Sequence, residues 1–204
     1  MLQSSYLTEV ELTDFGFKSL GHHVRISSDA RVYCPENIEI GNYVRIDDFS
    51  ILAARNGWIE IGNYVYIARN CHVGGTFGVV FDDFSSLAAN TVIYSASDDY
   101  LGNFLTAQVV PPEYTKQVGG RVVIGRHVII GAGSVILGQC VVGEGCSVGS
   151  MSLVKNDLDP WGVYVGHIRD EGDYTVGLLA AVDEVVRISE QARIPGIVTH
   201  MKAL

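Results

Sequence analysis

Aliphatic residues return every six positions through the most regular stretch of the chain, at Ile124, Ile130, Ile136, Val142, Val148 and Val154. A small residue stands two before four of them, at Ser134, Cys140, Cys146 and Ser152, and Gly follows at 125, 131, 143 and 149. A strict period of six fits neither a 3.6-residue helix nor a two-residue strand alternation. It fits a parallel β-helix, in which each unit makes one short strand and one turn. Three units close one coil, the 18-residue step from Ile124 to Val142. The pattern predicts an all-β solenoid with the aliphatic inward, the small residue sharing the interior, and Gly letting the chain turn.

The same signal runs back toward the N-terminus. Leu20-Gly21, Ile40-Gly41, Ile61-Gly62 and Phe81-Asp82 open successive coils at steps of 20, 21 and 20 residues. The two or three residues beyond 18 are expected as small bulges near Pro35-Glu36, Arg55-Asn56-Gly57 and Gly74-Gly75-Thr76. The next step, Phe81 to Ile124, is 43 residues, so one coil carries about 25 extra. That insertion spans roughly 95–121 and is polar and aromatic, with Tyr100, Phe104 and Tyr114. A long loop on an economical repeat points to function, and its aromatic rings predict packing.

The flanks differ. Thr8-Glu9-Val10-Glu11 has the form of a capping box, which predicts a short helix to about Phe15, ended by Gly16. Its apolar side, read as Leu7, Val10 and Phe15, is expected to cover the open end of the first coil. After Lys155 the period fails, Pro160-Trp161-Gly162 makes an exit turn, and Thr175 to Gln191 reads as an amphipathic helix. The organisation is then a helical cap at 1–19, about six coils at 20–159, and an exit turn with helix at 160–204, all one domain.

Composition narrows the partners. A net charge of −9 argues against nucleic acid. No apolar run is long enough to span a bilayer, and Met-Leu-Gln-Ser-Ser-Tyr lacks the pattern of a signal peptide. The four cysteines include no C-x-x-C pair, and Cys71, Cys140 and Cys146 sit at interior small positions. Buried free thiols in a reduced, cytoplasmic setting are expected, with no cysteine zinc site.

The six-residue repeats from Leu20 to Val154, with one long loop in a late coil, resemble the hexapeptide-repeat acyltransferases. Two local segments sharpen the resemblance: Ser97-Asp98-Asp99-Tyr100 with Leu105-Thr106 and Pro112-Glu113-Tyr114, and Ser150 to Lys155 with Pro160-Trp161-Gly162-Val163-Tyr164. They are similar to sugar acetyltransferases of bacterial surface-polysaccharide synthesis. The resemblance implies coils that wind left-handed, a homotrimer, and acetyl-coenzyme A (acetyl-CoA) lying between neighbouring subunits.

Many such enzymes place a catalytic His near the start of the long loop. Here the corresponding position is Asp98, and the loop contains no His. A carboxylate there suits a substrate ammonium, so an amino sugar linked to a nucleotide, and N-acetylation, become the expected chemistry. Among the six histidines, His72 is the candidate base, lying one before an inward Val73 and so facing outward. The sequence leaves three choices for the base: His72, Asp98, or no protein group. Asp99, Tyr100, Tyr114 and His127 are candidate substrate contacts, although Asp98 and Asp99 also fit a plain Asx turn. By the resemblance, Gly131, Ala132, Gly149, Ser150, Ser152, Lys155 and Arg169 would meet acetyl-CoA. Where the family carries an Asn-Pro-Ala-Lys-like segment, this chain reads Gly166-His167-Ile168-Arg169.

Three other readings compete. One is sugar O-acetylation. A second is a γ-type carbonic anhydrase, which needs three converging His ligands where the sequence offers His72 and His127. The third is a non-catalytic β-helix scaffold.

Overall fold

The computed structural model describes residues 5–107 and 109–168, with the side chains of residues 167 and 168 left aside. Its strands are two or three residues long and stack into three parallel sheets of six, seven and seven strands. Together they make six complete coils, and a seventh turn adds a bridge from Val142 to Leu158 and one strand on each of the other two sheets. The winding is left-handed, an exception to the right-handed crossover rule for parallel strands.

Register follows the six-residue pattern. On the first sheet Leu20, Ile40, Ile61, Phe81, Ile124 and Val142 pair in one column. On the third, Val32 leads through Leu52, Val73, Ile93 and Ile136 to Val154. Nearly all of these are fully buried, and Leu20 and Val32 are only partly so, because the first coil has no coil before it. Each buried Ile, Leu or Val adds about 1.5–3 kcal/mol. Ser134, Cys140, Cys146 and Ser152 share the interior as expected.

The glycines do a different job from the one read in the sequence. The corners that put φ near +60° are mostly aromatic or Asn: Tyr43, Tyr64, Phe84, Asn70 and Asn90. Gly21 and Gly41 have ordinary φ but lie where coils touch; a Cβ on either would come within 2.5–2.6 Å of the next coil's backbone. Left-handed φ costs a side-chain-bearing residue roughly 1–2 kcal/mol. At one corner His23, Tyr43, Tyr64, Phe84 and His127 stack at centroid spacings of 4.7–5.1 Å, and each such contact offsets about 0.5–1.5 kcal/mol.

The N-terminal helix, α1, spans Glu9–Asp14 with the predicted capping box between Thr8 and Glu11. The face it buries is not the one expected. Leu12 is buried, while Val10 is 71% exposed. Of the expected face, Leu7 does pack against the core, as does Phe17, while Phe15 is 36% exposed. The predicted helix Thr175 to Gln191 lies outside the described residues.

Candidate active site

The inserted loop leaves the coil after Tyr94 and returns at Val122, where Phe81 resumes its pairing with Ile124. Its neck is tightly held. The buried Ser95 hydroxyl donates to Gly74 O at 2.8 Å and accepts from Phe77 N at 2.9 Å, while Gly120 N donates to Ser95 O at 2.9 Å. Gly119 sits at φ +143°, and a Cβ there would lie 2.2 Å from Ser95 O. Strands Ala96–Asp98 and Gln117–Gly119 then pair antiparallel, with Asp98 opposite Gln117.

The two adjacent aspartates have separate surroundings. Asp99 accepts from the backbone N–H groups of Leu101, Asn103 and Phe104 at 2.8, 2.8 and 3.0 Å. Those bonds, led by that from Leu101, hold its carboxyl below the ordinary carboxylate value. Its oxygens serve the loop's own backbone rather than the surface. Asp98 accepts one long bond, 3.3 Å from Ala107 N, and is half-buried. Further out, Leu105 N donates to Tyr114 O and the Lys116 ammonium lies over the Phe104 ring at 5.4 Å. The loop is therefore built, but by backbone bonds to Asp99 rather than by the packing its aromatic residues predicted: Tyr100 is 88% exposed, Tyr114 58% and Phe104 41%.

His72 faces outward from the third sheet, between buried Cys71 and Val73. Its ring lies 5.1 Å from that of Tyr94, tilted by 47°. Burial lowers its pKa from the ordinary His value, which favours the neutral imidazole. Cys71 beneath it is pushed by burial up to about 11 and is a structural thiol. The third sheet thus brings His72 and Tyr94 to the edge from which the loop departs. His127 lies elsewhere, stacked on Phe84 at the corner between the first and second sheets, so one chain does not unite it with Asp98.

Gly131, Ala132, Gly149 and Ser150 form two turns stacked at the corner between the second and third sheets. A Cβ on Gly131 would meet Ser150 N at 2.4 Å, so its smallness already serves coil packing. Lys155 is exposed just beyond, after the strand Leu153–Val154. Ser152 departs from its expected role. It is buried, its hydroxyl donating to Gly149 O and accepting from Gly166 N, so it presents nothing outward. Arg169 lies outside the described residues. Among the described residues no three His, Cys, Asp or Glu side chains gather as metal ligands. A concavity of about 610 Å³ beside α1 is lined by Leu12, Phe17 and His22, on the first coil rather than at the loop.

One cluster was not singled out in the sequence. Arg45 pairs with Asp47 through Nε at 2.7 Å and an Nη at 3.1 Å, and the hydroxyls of Tyr6 and Tyr66 donate to the same carboxylate at 3.0 and 2.8 Å. Burial raises the Asp47 pKa, but these donors outweigh it and hold the carboxyl below its usual value. Arg25 lies over the Tyr6 ring at 4.1 Å. The recurrence of Arg25-Ile26-Ser27 as Arg45-Ile46-Asp47, 20 residues on, is the signal that marks it.

Residues 117–156 match the family described as bacterial transferase hexapeptide (six repeats). A dTDP-4-amino-4,6-dideoxy-D-glucose acyltransferase of Escherichia coli is 43% identical over 162 residues, covering 79% of this chain and 84% of that one. The chain belongs to the hexapeptide-repeat sugar acyltransferases. This acyltransferase also superposes on AntD, an N-acyltransferase from Bacillus cereus. The AntD complex with dTDP and 3-hydroxybutyryl-CoA gives a TM-score of 0.78 at 38% identity, covering 92% of this chain and all of that one. An AntD variant bound to dTDP-4-amino-4,6-dideoxyglucose and coenzyme A (CoA) gives 0.79 at 39%, with the same coverage. The acetyltransferase domain of PglB from Neisseria gonorrhoeae, at 17% identity and TM-score 0.52, shares the fold.

Proposed function

We propose that the enzyme transfers an acetyl group from acetyl-CoA to the amine of a dTDP-linked amino sugar, of the 4-amino-4,6-dideoxyglucose kind. The observation that carries this reading is Asp98, a carboxylate on a braced hairpin with one weak internal bond and no cationic partner among the described residues. The relatives that act on or bind dTDP-amino sugars support the nucleotide.

The amine lone pair attacks the thioester carbonyl carbon, making a tetrahedral oxyanion. Collapse breaks the C–S bond and releases the CoA thiolate. Nitrogen loses one proton to Asp98 or to the neutral His72 imidazole, and the thiolate gains one. Asp98 also orients the incoming amine, while Asp99 holds the loop that carries it. The pantetheine arm lies along Gly131-Ala132 and Gly149-Ser150, with Lys155 toward the nucleotide end of CoA. Tyr100 and Tyr114 contact the acceptor.

The enzyme works as a homotrimer. The outward row of the third sheet carries Ile51, Val92, Val135 and Leu153 around His72, with Arg31 at its first-coil end. The loop tip exposes Tyr100, Leu101 and Val109. A second copy covering these surfaces would complete the groove and bring His127 from a neighbouring chain. The free thiols and the CoA co-substrate fit the cytoplasm, and the product fits a surface polysaccharide.

The test is CoA thiol release with dTDP-4-amino-4,6-dideoxyglucose against its 4-hydroxy counterpart, using acetyl- and 3-hydroxybutyryl-CoA. Turnover confined to the amine with acetyl-CoA preferred is expected. Preference for the hydroxyl acceptor would overturn the N-transfer, and preference for the longer thioester, the acyl group bound in an AntD complex, would overturn acetyl.

A further inference from the structure

Arg25 and Arg45 stand directly opposite each other on adjacent parallel strands of the second sheet, with Tyr66 next in the same outward row. Like charges placed this way repel unless something answers them. Asp47 answers Arg45 through two hydrogen bonds. Arg25 lacks that answer, because the position two residues on is Ser27, whose hydroxyl is turned to Asp48. Among the described residues, no carboxylate lies within ion-pair distance of Arg25. It is exposed, yet it is held: the Tyr6 ring supports its guanidinium at 4.1 Å, and Tyr6 is tied by its hydroxyl to Asp47. The cluster therefore carries two guanidiniums, one carboxylate and two phenols, an excess positive charge on a chain of net charge −9.

We infer that Arg25, steadied by Tyr6 and backed by Arg45, is the anion site that receives the diphosphate of the sugar nucleotide. A guanidinium offers a planar fork that matches phosphate oxygens two at a time. Packing on a ring fixes that fork beforehand, so less side-chain entropy is lost when the anion arrives. Position favours the acceptor over the donor. Arg25 and Arg45 belong to the first two coils, whereas the small-residue turns at 131–133 and 149–150 belong to the fifth and sixth. The loop leaves from the fourth coil. That offset is two to three strand spacings, roughly 10–15 Å, which suits an extended sugar nucleotide lying along the groove with its amine at Asp98. The inference rests on the proposed acceptor and on a neighbouring chain that sets this face against the loop.

The test is calorimetric titration of the full-length wild type, Arg25→Ala and Arg25→Lys with dTDP, CoA and inorganic pyrophosphate, at two salt concentrations. We expect Arg25→Ala to weaken dTDP by about 10–100-fold, the effect of losing one hydrogen bond to a charged group. CoA affinity should stay unmoved, the salt dependence should flatten, and Arg25→Lys should fall between. Steady-state kinetics should show a raised KM for the sugar nucleotide with kcat retained at saturation. Unchanged dTDP and pyrophosphate affinities with wild-type thermal stability would overturn the site and leave the cluster as a tie for the N-terminal segment. Loss of CoA affinity alone would overturn the assignment to the acceptor. Arg25-dependent binding of pyrophosphate by a wild type that takes no dTDP would keep the anion site and sink the proposed acceptor instead.

Discussion

The imidazole of His72 lies 5.1 Å from the ring of Tyr94, on paired strands of the third sheet, and Tyr94 is the last residue before the loop neck. The Tyr94 ring packs against one side of the imidazole. Because burial depresses the His72 pKa, the neutral form is present down to pH values below the ordinary His range and is lost as pH falls through the lowered pKa. Activity should therefore hold through neutral pH and drop on the acid side. Tyr94→Ala should move that acid limb upward toward the ordinary His value, as read from the pH profile of kcat/KM and from imidazole NMR titration. His72→Gln should remove the limb and cost about 10²–10⁴-fold if the imidazole accepts the amine proton.

Asp98→Asn keeps the size and removes the charge. Turnover on the amino sugar should fall by about 10²–10⁴-fold, with CoA affinity unchanged by calorimetry. A variant that keeps wild-type kcat/KM would remove Asp98 from the chemistry.

Asp99 should behave differently from its neighbour. Its three backbone bonds form with the carboxylate, and its folded pKa is depressed. Loop order is therefore present above the ordinary carboxylate value and is lost as pH falls through the lowered pKa. Asp99→Ala should open the 95–121 segment to proteolysis at neutral pH, where the wild type resists. It should lower kcat/KM by about 10²-fold through misplacement of Asp98, with little change in the melting of the coils. Equal protease resistance in both proteins would show that other contacts hold the loop.

Inside and outside positions of one strand separate folding from assembly. Ile136 is fully buried between Ile93 and Val154, and Ile136→Ala should cost about 2–5 kcal/mol in denaturant unfolding. Its neighbour Val135 faces out beside Val92 and Leu153. Val135→Asp should leave the coil folded by circular dichroism but yield monomers by light scattering. A trimer that survives this change would place the interface on another face.

The six-residue period by itself determined the coils, their register and the place and length of the insertion. The reason is local: each interior column takes one aliphatic per face per coil, so a missing beat can only be an excursion. The capping box and the interior cysteines were legible for the same reason, since neighbours within a few residues decide them. Handedness was not, because a six-residue spacing is identical in either hand; it came in with the family resemblance. Only the tertiary structure decided that Leu12 rather than Val10 meets the core, since two apolar residues on a six-residue helix compete for one side and the docking angle chooses. It likewise divided Asp98 from Asp99, because loop curvature aims three N–H groups at one carboxylate and leaves the other nearly free. The same holds for Arg25 and Arg45, alike in sequence spacing, of which the stacked coils neutralise one and leave the other on a tyrosine ring.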